Sequence, residues 1–425
     1  MNRLLVSNGL ILDPVTQSVK TSDLYIADGV ITAIDHRPDG FDADQTIDAS
    51  GLIISPGVVD LCARLREPGL EFKADIDSEA RAAAAAGITT LCCPPDTDPV
   101  IDEPAVVELI HRKAATAAHS RVVTLGALTR GLEGQLLSEM AALQTAGCVG
   151  VSNSRRPVAN TLILRRAYAY AANSEITVFI EPDEHWLSMG GCAHDGPVAT
   201  RLGLQGIPVS AETVAISRAL ELIHETGVKA HFGRLSSAHG VELIRRAKEQ
   251  GMTITADVSA HQLFLNEMDI NSFNSMCHVL PPLRSQRDME ALRQAVREGV
   301  IDAICSDHQP HEPDAKQAPF ASTQPGISSL ETLLPLSLRL VHEQLIPTYT
   351  AQSLLSTQPA DILGMSTGVI AVNKPADLCI YDPELEWELD STNMHSRGKN
   401  TPFEGWNFQG KVRYTIIDGT PVHTA

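Results

Sequence analysis

Between Ser55 and about Gly364 the apolar positions fall into two alternating patterns: short β-branched runs, and longer stretches with helical spacing. The short runs are GVVDLCAR, ITTLCCPP, RVVTLGAL, CVGVSN, ITVFIEPD, KAHFGRLSS, MTITADVS and IDAICSDH. Each is followed by a helical pattern, from FKADIDSEARAAAAAG after the first to SSLETLLPLSLRLVHEQL after the last. Several of these end in Gly, the usual helix stop. Eight strand-then-helix units predict an α/β fold, a closed (β/α)₈ TIM barrel over residues 55–365.

The flanks carry a different period. Residues 1–54 (LLVSNGLILD, DLYIADGVITAID) and 366–425 (ADLCIYD, KVRYTIIDGTPV) alternate as strands do, with turn dipeptides at Asp28-Gly29 and Asp418-Gly419. Neither flank is large enough for a core of its own. Both ends are therefore expected to pair into one small β-sandwich beside the barrel.

Composition narrows the function. With 425 residues, 43% of them hydrophobic, the chain can bury a sizeable core. Its 33 Lys+Arg against 52 Asp+Glu give a net charge of −19, a field that repels phosphate backbones and anionic lipid, so neither nucleic acid nor a membrane is an expected partner. The first residues hold only short apolar pieces broken by Asn8 and Asp13, without the pattern of a signal peptide or spanning helix, and a cytoplasmic location is expected. The eight cysteines show no CxxC spacing and sit mostly in apolar runs, which predicts buried free thiols.

Chemistry in such barrels collects at the C-terminal ends of the strands. Read in order, those ends carry Cys62 and Arg64, then Asp96, Asn153, Glu181, Arg234, His261, and Asp307 with His311. Cys62 and Arg64 are two residues apart, so on a strand they share a face. His261, His308 and His311 each read, taken singly, as structural hydrogen-bonding residues.

The segments SPGVVDLCARLREPG, CVGVSNSRRPV, ADVSAHQLFL, VLPPLRS, CSDHQPH, FASTQPGISSLET, PADLCIYD and SRGKNTPFEGWNFQGKV together resemble the long dihydroorotases of the amidohydrolase superfamily, over nearly the whole chain. The resemblance implies a barrel of amidohydrolase type. It also implies a site for one or two zinc ions: an HxH pair on strand 1, a bridging carboxylate after strand 4, a His after each of strands 5 and 6, and a general acid/base Asp after strand 8. This chain has Cys62 and Arg64 at the pair, Asn153 at the bridge, and Glu181 and Arg234 at the two histidines; Asp307 alone matches. No lysine in GVSNSRRPV could be carbamylated to bridge metals. A guanidinium about 4 Å from a divalent ion is repelled by roughly 8 kcal/mol at an effective dielectric near 20, and arginine cannot deprotonate to escape this. Without a metal the water-activating chemistry is lost. No metal and no other cofactor is expected, and Asp307 is left as a vestige.

The substrate positions are less fully erased. By resemblance, Arg66 and His311 match an Arg and a His that hold the dihydroorotate carboxylate. Asp96 replaces an Asn of that set, and Leu280 replaces a ring-contacting Asn. A carboxylate at Asp96 disfavours an anionic substrate, and Arg66 then reads as a residue that fixes its turn. Cys62 reads as a volume filler. Arg64 or Arg234 is expected to reach into the former metal position and bond to Asp307 or Glu181.

The resemblance extends to the inactive dihydroorotase-like chains of some bacterial aspartate carbamoyltransferases. It implies a structural, non-catalytic role in pyrimidine biosynthesis, with the carbamoyltransferase catalytic chain as partner and a homo-dimer or larger hetero-oligomer as the assembly. Two competing readings are an active cyclic amidohydrolase with a rewired single-metal site, using Glu181, Asp183 and His185, and a module sensing a carboxylated metabolite through Arg66 and His311.

Overall fold

In a computed structural model that describes residues 3–425, the eight short runs form eight parallel strands in sequence order: Val58–Asp60, Ile88–Cys93, Arg121–Ala127, Cys148–Ser152, Val178–Ile180, Ala230–Phe232, Ile254–Ser259 and Ala303–Cys305. All eight expected helices follow them, from Ile76–Ala85 to Leu330–His342. Local chemistry sets several helix starts. The Asp75 carboxylate accepts from Ser78 N in a capping box, Ser285 does the same with Asp288, and Ser237 caps Gly240 N.

The seam between the first and eighth strands determines the site. Regular pairing of the first strand ends at Asp60, so Cys62 and Arg64 lie beyond it, not on a continuous strand as their spacing suggested. They are nonetheless held extended. Ala63 bridges His308, with Arg64 N donating to His308 O at 2.9 Å and His308 N to Cys62 O at 3.2 Å. The eighth strand is only three residues long, and this irregular stitch closes what it leaves open.

Both chain ends build one further eight-stranded sheet. Ile53–Pro56 joins its halves: it runs antiparallel to Leu378–Glu388, with Ile54 opposite Ile380, and parallel to Arg3–Asp13, with Leu10 opposite Ile53. Leu4, Val6, Leu24, Ile26, Ile54, Leu378, Ile380 and Ile416 form its buried core. Gly87, at φ +80°, ends the first barrel helix against this sheet; a Cβ there would lie 2.3 Å from Cys379 Sγ. All eight cysteines are buried thiols.

Sequence patterning missed the insertion after the fifth strand, with short helices His185–Ser188 and Pro197–Leu202 and a two-residue parallel bridge between Ala193–His194 and Gly206–Ile207. It also missed helices Thr348–Leu355 and Thr357–Ile362. Ala360, Ile362 and Leu363 pack with Val59, Ala303 and Cys305 in the barrel interior. These elements are too short to show a helical period.

Candidate functional site

The strand ends bring Cys62, Arg64, Asp96, Glu181, Arg234 and Asp307 into one buried cluster. Arg64 enters from the seam. Its Nε donates to Asp96 Oδ2 at 2.8 Å, Nη1 to Asp307 Oδ1 at 3.4 Å, and Nη2 lies 3.7 Å from Glu181 Oε1. Arg234 enters from the other side, with Nη2 2.6 Å from Glu181 Oε2 and Nε 3.6 Å from Asp307 Oδ1. These are close ion pairs rather than aligned hydrogen bonds, for Glu181 Oε2 is buried with no hydrogen-bond donor. The Arg234 backbone sits at φ +58°, fixed by its N–H donating to Asp257 Oδ1 at 2.6 Å. Gln309 Nε2 also donates to Asp307 Oδ1, at 3.2 Å.

Two guanidiniums thus face three carboxylates. Burial opposes the Arg234 charge, but Cys62, Glu181 and Asp307 around it hold its pKa well above the ordinary value. The excess negative charge falls on Asp307, whose pKa burial raises even with Arg234 and Arg64 beside it. Asp96 moves the other way: it is buried, yet Arg64 holds its pKa below the usual carboxylate range. Cys62 is buried with Sγ 3.8 Å from both Asp307 Oδ1 and Arg64 Nη1, and burial pushes its thiol far up. A thiol held protonated is no nucleophile.

Asn153 does not join the cluster. Its Oδ1 accepts from Thr129 Oγ1 at 2.6 Å, and its Nδ2 donates to Leu132 O at 3.3 Å and Arg156 O at 2.9 Å. It clamps the loop after the fourth strand. His308 points inward, accepting from Ser329 N at Nδ1 and facing Glu79 Oε2 at 2.8 Å, so Nε2 carries the proton. His261 is enclosed, with only Ser259 Oγ at 3.2 Å, and burial pushes its pKa down to about 3. Asp183 pairs with Arg155 at 3.1 Å.

Arg66 and His311 do sit side by side. Arg66 Nε donates to Pro310 O at 3.0 Å. His311 is already engaged on both nitrogens: Lys73 Nζ lies 3.0 Å from Nδ1 and Pro325 O 3.0 Å from Nε2, so Nε2 is the protonated one. Burial, then Arg66 and Lys73, push the His311 pKa down to about 2. Leu280 lines the open cavity above, as does Asp96.

Sequence reasoning missed the Arg64–Asp96 bond. Asp96 was read as repelling a substrate, whereas its charge is taken up by Arg64; a new carboxylate and a new arginine at neighbouring strand ends were the available signal. Also missed were the interior pairs, Ser306 N donating to Asp60 Oδ1 at 2.8 Å and His231 facing Asp257 at 2.8 Å.

The residues present do not fit a divalent ion. Among the described residues no three His, Cys, Asp or Glu side chains converge to hold one. The space between Asp307 and Glu181 is instead occupied by guanidinium, and the void left beside Cys62, Glu181 and Arg234 is about 20 Å³, roughly one water.

Comparison with known proteins agrees with this architecture. The dihydro-orotase-like family profile matches residues 51–239, and that of the amidohydrolase family residues 205–422. A dihydroorotase-like protein of Pseudomonas aeruginosa is 48% identical over 97% of both chains. This chain belongs to the dihydroorotase-like amidohydrolases. A dihydroorotase of Geobacter sp. strain M21 is 38% identical over 99% of both chains. The fold matches that of L-hydantoinase from Arthrobacter aurescens, with a TM-score of 0.88 at 24% identity, covering 100% of this chain and 96% of that one. Set in this family, the guanidinium-filled cluster occupies the barrel end where its enzymes carry out their chemistry.

Proposed function

We propose that this dihydroorotase-like chain is catalytically silent and serves as a structural, non-catalytic subunit of a cytoplasmic aspartate carbamoyltransferase complex in pyrimidine biosynthesis. The observation that carries the reading is the placement of Arg64 and Arg234 between Asp307 and Glu181. Ring opening of a cyclic amide needs an activated water, and a site already neutralised by protein cations has no electrophile to lower that water's pKa. Asp307, buried and with a raised pKa, has nothing to deprotonate. Retention of the fold without the chemistry supports a role for the barrel's outer surface.

Two measurements test this. The purified protein is expected to carry well under one zinc per chain and to show no dihydroorotase turnover with zinc added; one tightly bound ion together with ring opening would overturn the silent-site part. Deleting the chain in its own organism is expected to leave the carbamoyltransferase catalytic chain poorly assembled. A fully assembled, fully active carbamoyltransferase without it would overturn the structural part.

A further inference from the structure

The cavity above the cluster measures about 430 Å³. Arg64, Arg66, Arg155 and Arg156 line it, against one carboxylate, Asp96. In a chain of net charge −19 this is a local reversal of sign. The four arginines are not equivalent. Arg64 is committed to Asp96, Glu181 and Asp307, and Arg155 pairs with Asp183. Arg66 and Arg156 have no carboxylate within ion-pair distance among the described residues; Arg66 Nε donates to the Pro310 carbonyl and its Nη2 lies 3.2 Å from His311 Nε2.

Ser154 supplies an independent observation. It lines the same cavity, is only 7% exposed, and its hydroxyl is buried with no hydrogen-bond partner. Native structures seldom leave such a group unsatisfied, because the desolvation cost is not recovered. Its backbone is at φ +47°, unusual for a residue with a Cβ. The turn is held there by Ser154 N donating to Ser152 Oγ at 3.0 Å and by the Asn153 side chain reaching Arg156 O. The residue at the family's bridging-carboxylate position thus fixes the turn that presents Ser154 and Arg156.

The groups behind the cavity register its positive field. Burial, with Arg64 beside it, lowers the Arg66 pKa to about 10, and Lys316 falls to about 7 through burial with Arg66 and Lys73 nearby. An anion in the cavity would relieve all of them.

We propose that the barrel mouth binds a phosphate or phosphomonoester dianion, held by Arg66 on one wall and by Ser154 with Arg156 on the other. Two uncompensated guanidiniums match a double negative charge. A tetrahedral group accepts from both walls and from a hydroxyl at once, where a planar carboxylate is served from one plane. The carboxylate of a dihydroorotate-like ligand fits less well, with both His311 nitrogens engaged and Leu280 on the wall, while Asp96 on that wall is neutralised by Arg64. The cavity lies in the size range of small-metabolite sites. The inference is independent of any assembly with a carbamoyltransferase.

The test titrates purified protein with inorganic phosphate, ribose 5-phosphate, dihydroorotate and succinate, read by thermal shift and by tryptophan fluorescence. Trp186 is a suitable reporter, being 63% exposed and packed on His185, which lines the cavity. Both phosphates are expected to bind saturably, and binding should weaken at least about tenfold in Arg156→Ala and in Ser154→Gly, as for loss of one hydrogen bond to a charged group. Glycine accepts the positive φ, so Ser154→Gly keeps the turn. Arg165→Ala, removing an exposed arginine that pairs with Glu225 at 2.6 Å, should bind like the parent. Tighter binding of ribose 5-phosphate marks a phosphomonoester as the ligand, and equal binding marks free phosphate; either supports the site. No saturable phosphate binding, binding undiminished in both variants, or succinate and dihydroorotate binding as tightly as phosphate would overturn it.

Discussion

Arg64 Nε donates to Asp96 Oδ2 at 2.8 Å while the same guanidinium reaches Asp307 at 3.4 Å, so one side chain at the barrel seam ties the loop after the second strand to the loop after the eighth. The bond explains why an aspartate is tolerated at a recessed position. Asp96 and Arg64 neutralise each other, and the arginine is thereby aimed across the barrel mouth.

Arg234 and Glu181 form the tightest ion contact of the cluster, both under one-tenth exposed. Arg234→Ala is expected to destabilise the fold by about 3–5 kcal/mol in urea unfolding, since it strands buried carboxylates. Arg234→Met combined with Glu181→Leu should cost clearly less, because a buried ion pair often only balances its desolvation. Equal losses for the single and the double variant would show that the pair carries net stability.

Asn153 donates through Nδ2 to two carbonyl oxygens, Leu132 O and Arg156 O. Asn153→Asp replaces that donor by an acceptor facing acceptors. It is expected to cost about 1–3 kcal/mol, the range for an unsatisfied buried polar group. Hydrogen exchange should report loosening confined to the loop after the fourth strand. An aspartate variant as stable as the parent would mean that the clamp contributes little.

How much of this was legible in the sequence depends on the range of the signal. The barrel was, because alternating β-branched runs and helical periods are local patterns repeated eight times. Most of the cluster's membership was too, since strand ends converge in any such barrel, although Asn153, His261 and His311 stand outside it; the reach of Arg64 and Arg234 towards Asp307 and Glu181 follows from charge compensation. What stayed hidden was pairing between elements. Asp96 and Arg64 are 32 residues apart, and nothing in either segment names the other. The direction of a short polar side chain was equally hidden: Asn153 sits at a strand end like the rest but turns its amide into the loop. Cys62 was read correctly as buried, though not its place against Asp307.

His261 gives a pH test with a definite sign. Its folded pKa, about 3, is set by burial and lies below the ordinary histidine value near 6.5. Above pH 6.5 both states leave it neutral. As pH falls below 6.5 the unfolded chain takes up a proton that the folded chain refuses, so stability is lost at about 1.4 kcal/mol per pH unit from this group. His278 and His311, lowered to about 4 and about 2, act in the same direction. Asp60 and Glu331, both raised to about 7 chiefly by burial, oppose them over part of that range. The difference between the parent and His261→Leu isolates one group. Relative to the parent, the variant should gain about 2 kcal/mol between pH 7 and pH 5 in urea unfolding. A pH-independent difference would show that His261 takes up its proton in the fold as readily as in the unfolded chain.

Restoring histidines tests whether the loss of metal ligation is distributed over the cluster or confined to the first strand end. Cys62→His with Arg64→His rebuilds the HxH pair but leaves Arg234 within 3.6 Å of Asp307 and 2.6 Å of Glu181. A divalent ion placed about 4 Å from that fixed charge still meets roughly 8 kcal/mol of repulsion at an effective dielectric near 20, comparable with much of what a good site gains. Removing Arg64 also strips Asp96 of its partner. The double variant is therefore expected to be less stable than the parent and to retain well under one zinc per chain after dialysis. Adding Glu181→His and Arg234→His removes the remaining guanidinium and supplies two more neutral donors beside Asp307. Zinc retention near one per chain is expected only then, by elemental analysis of the dialysed protein. A double variant that already holds one ion would mean that Arg234 can swing clear, and that Arg64 alone kept the metal out.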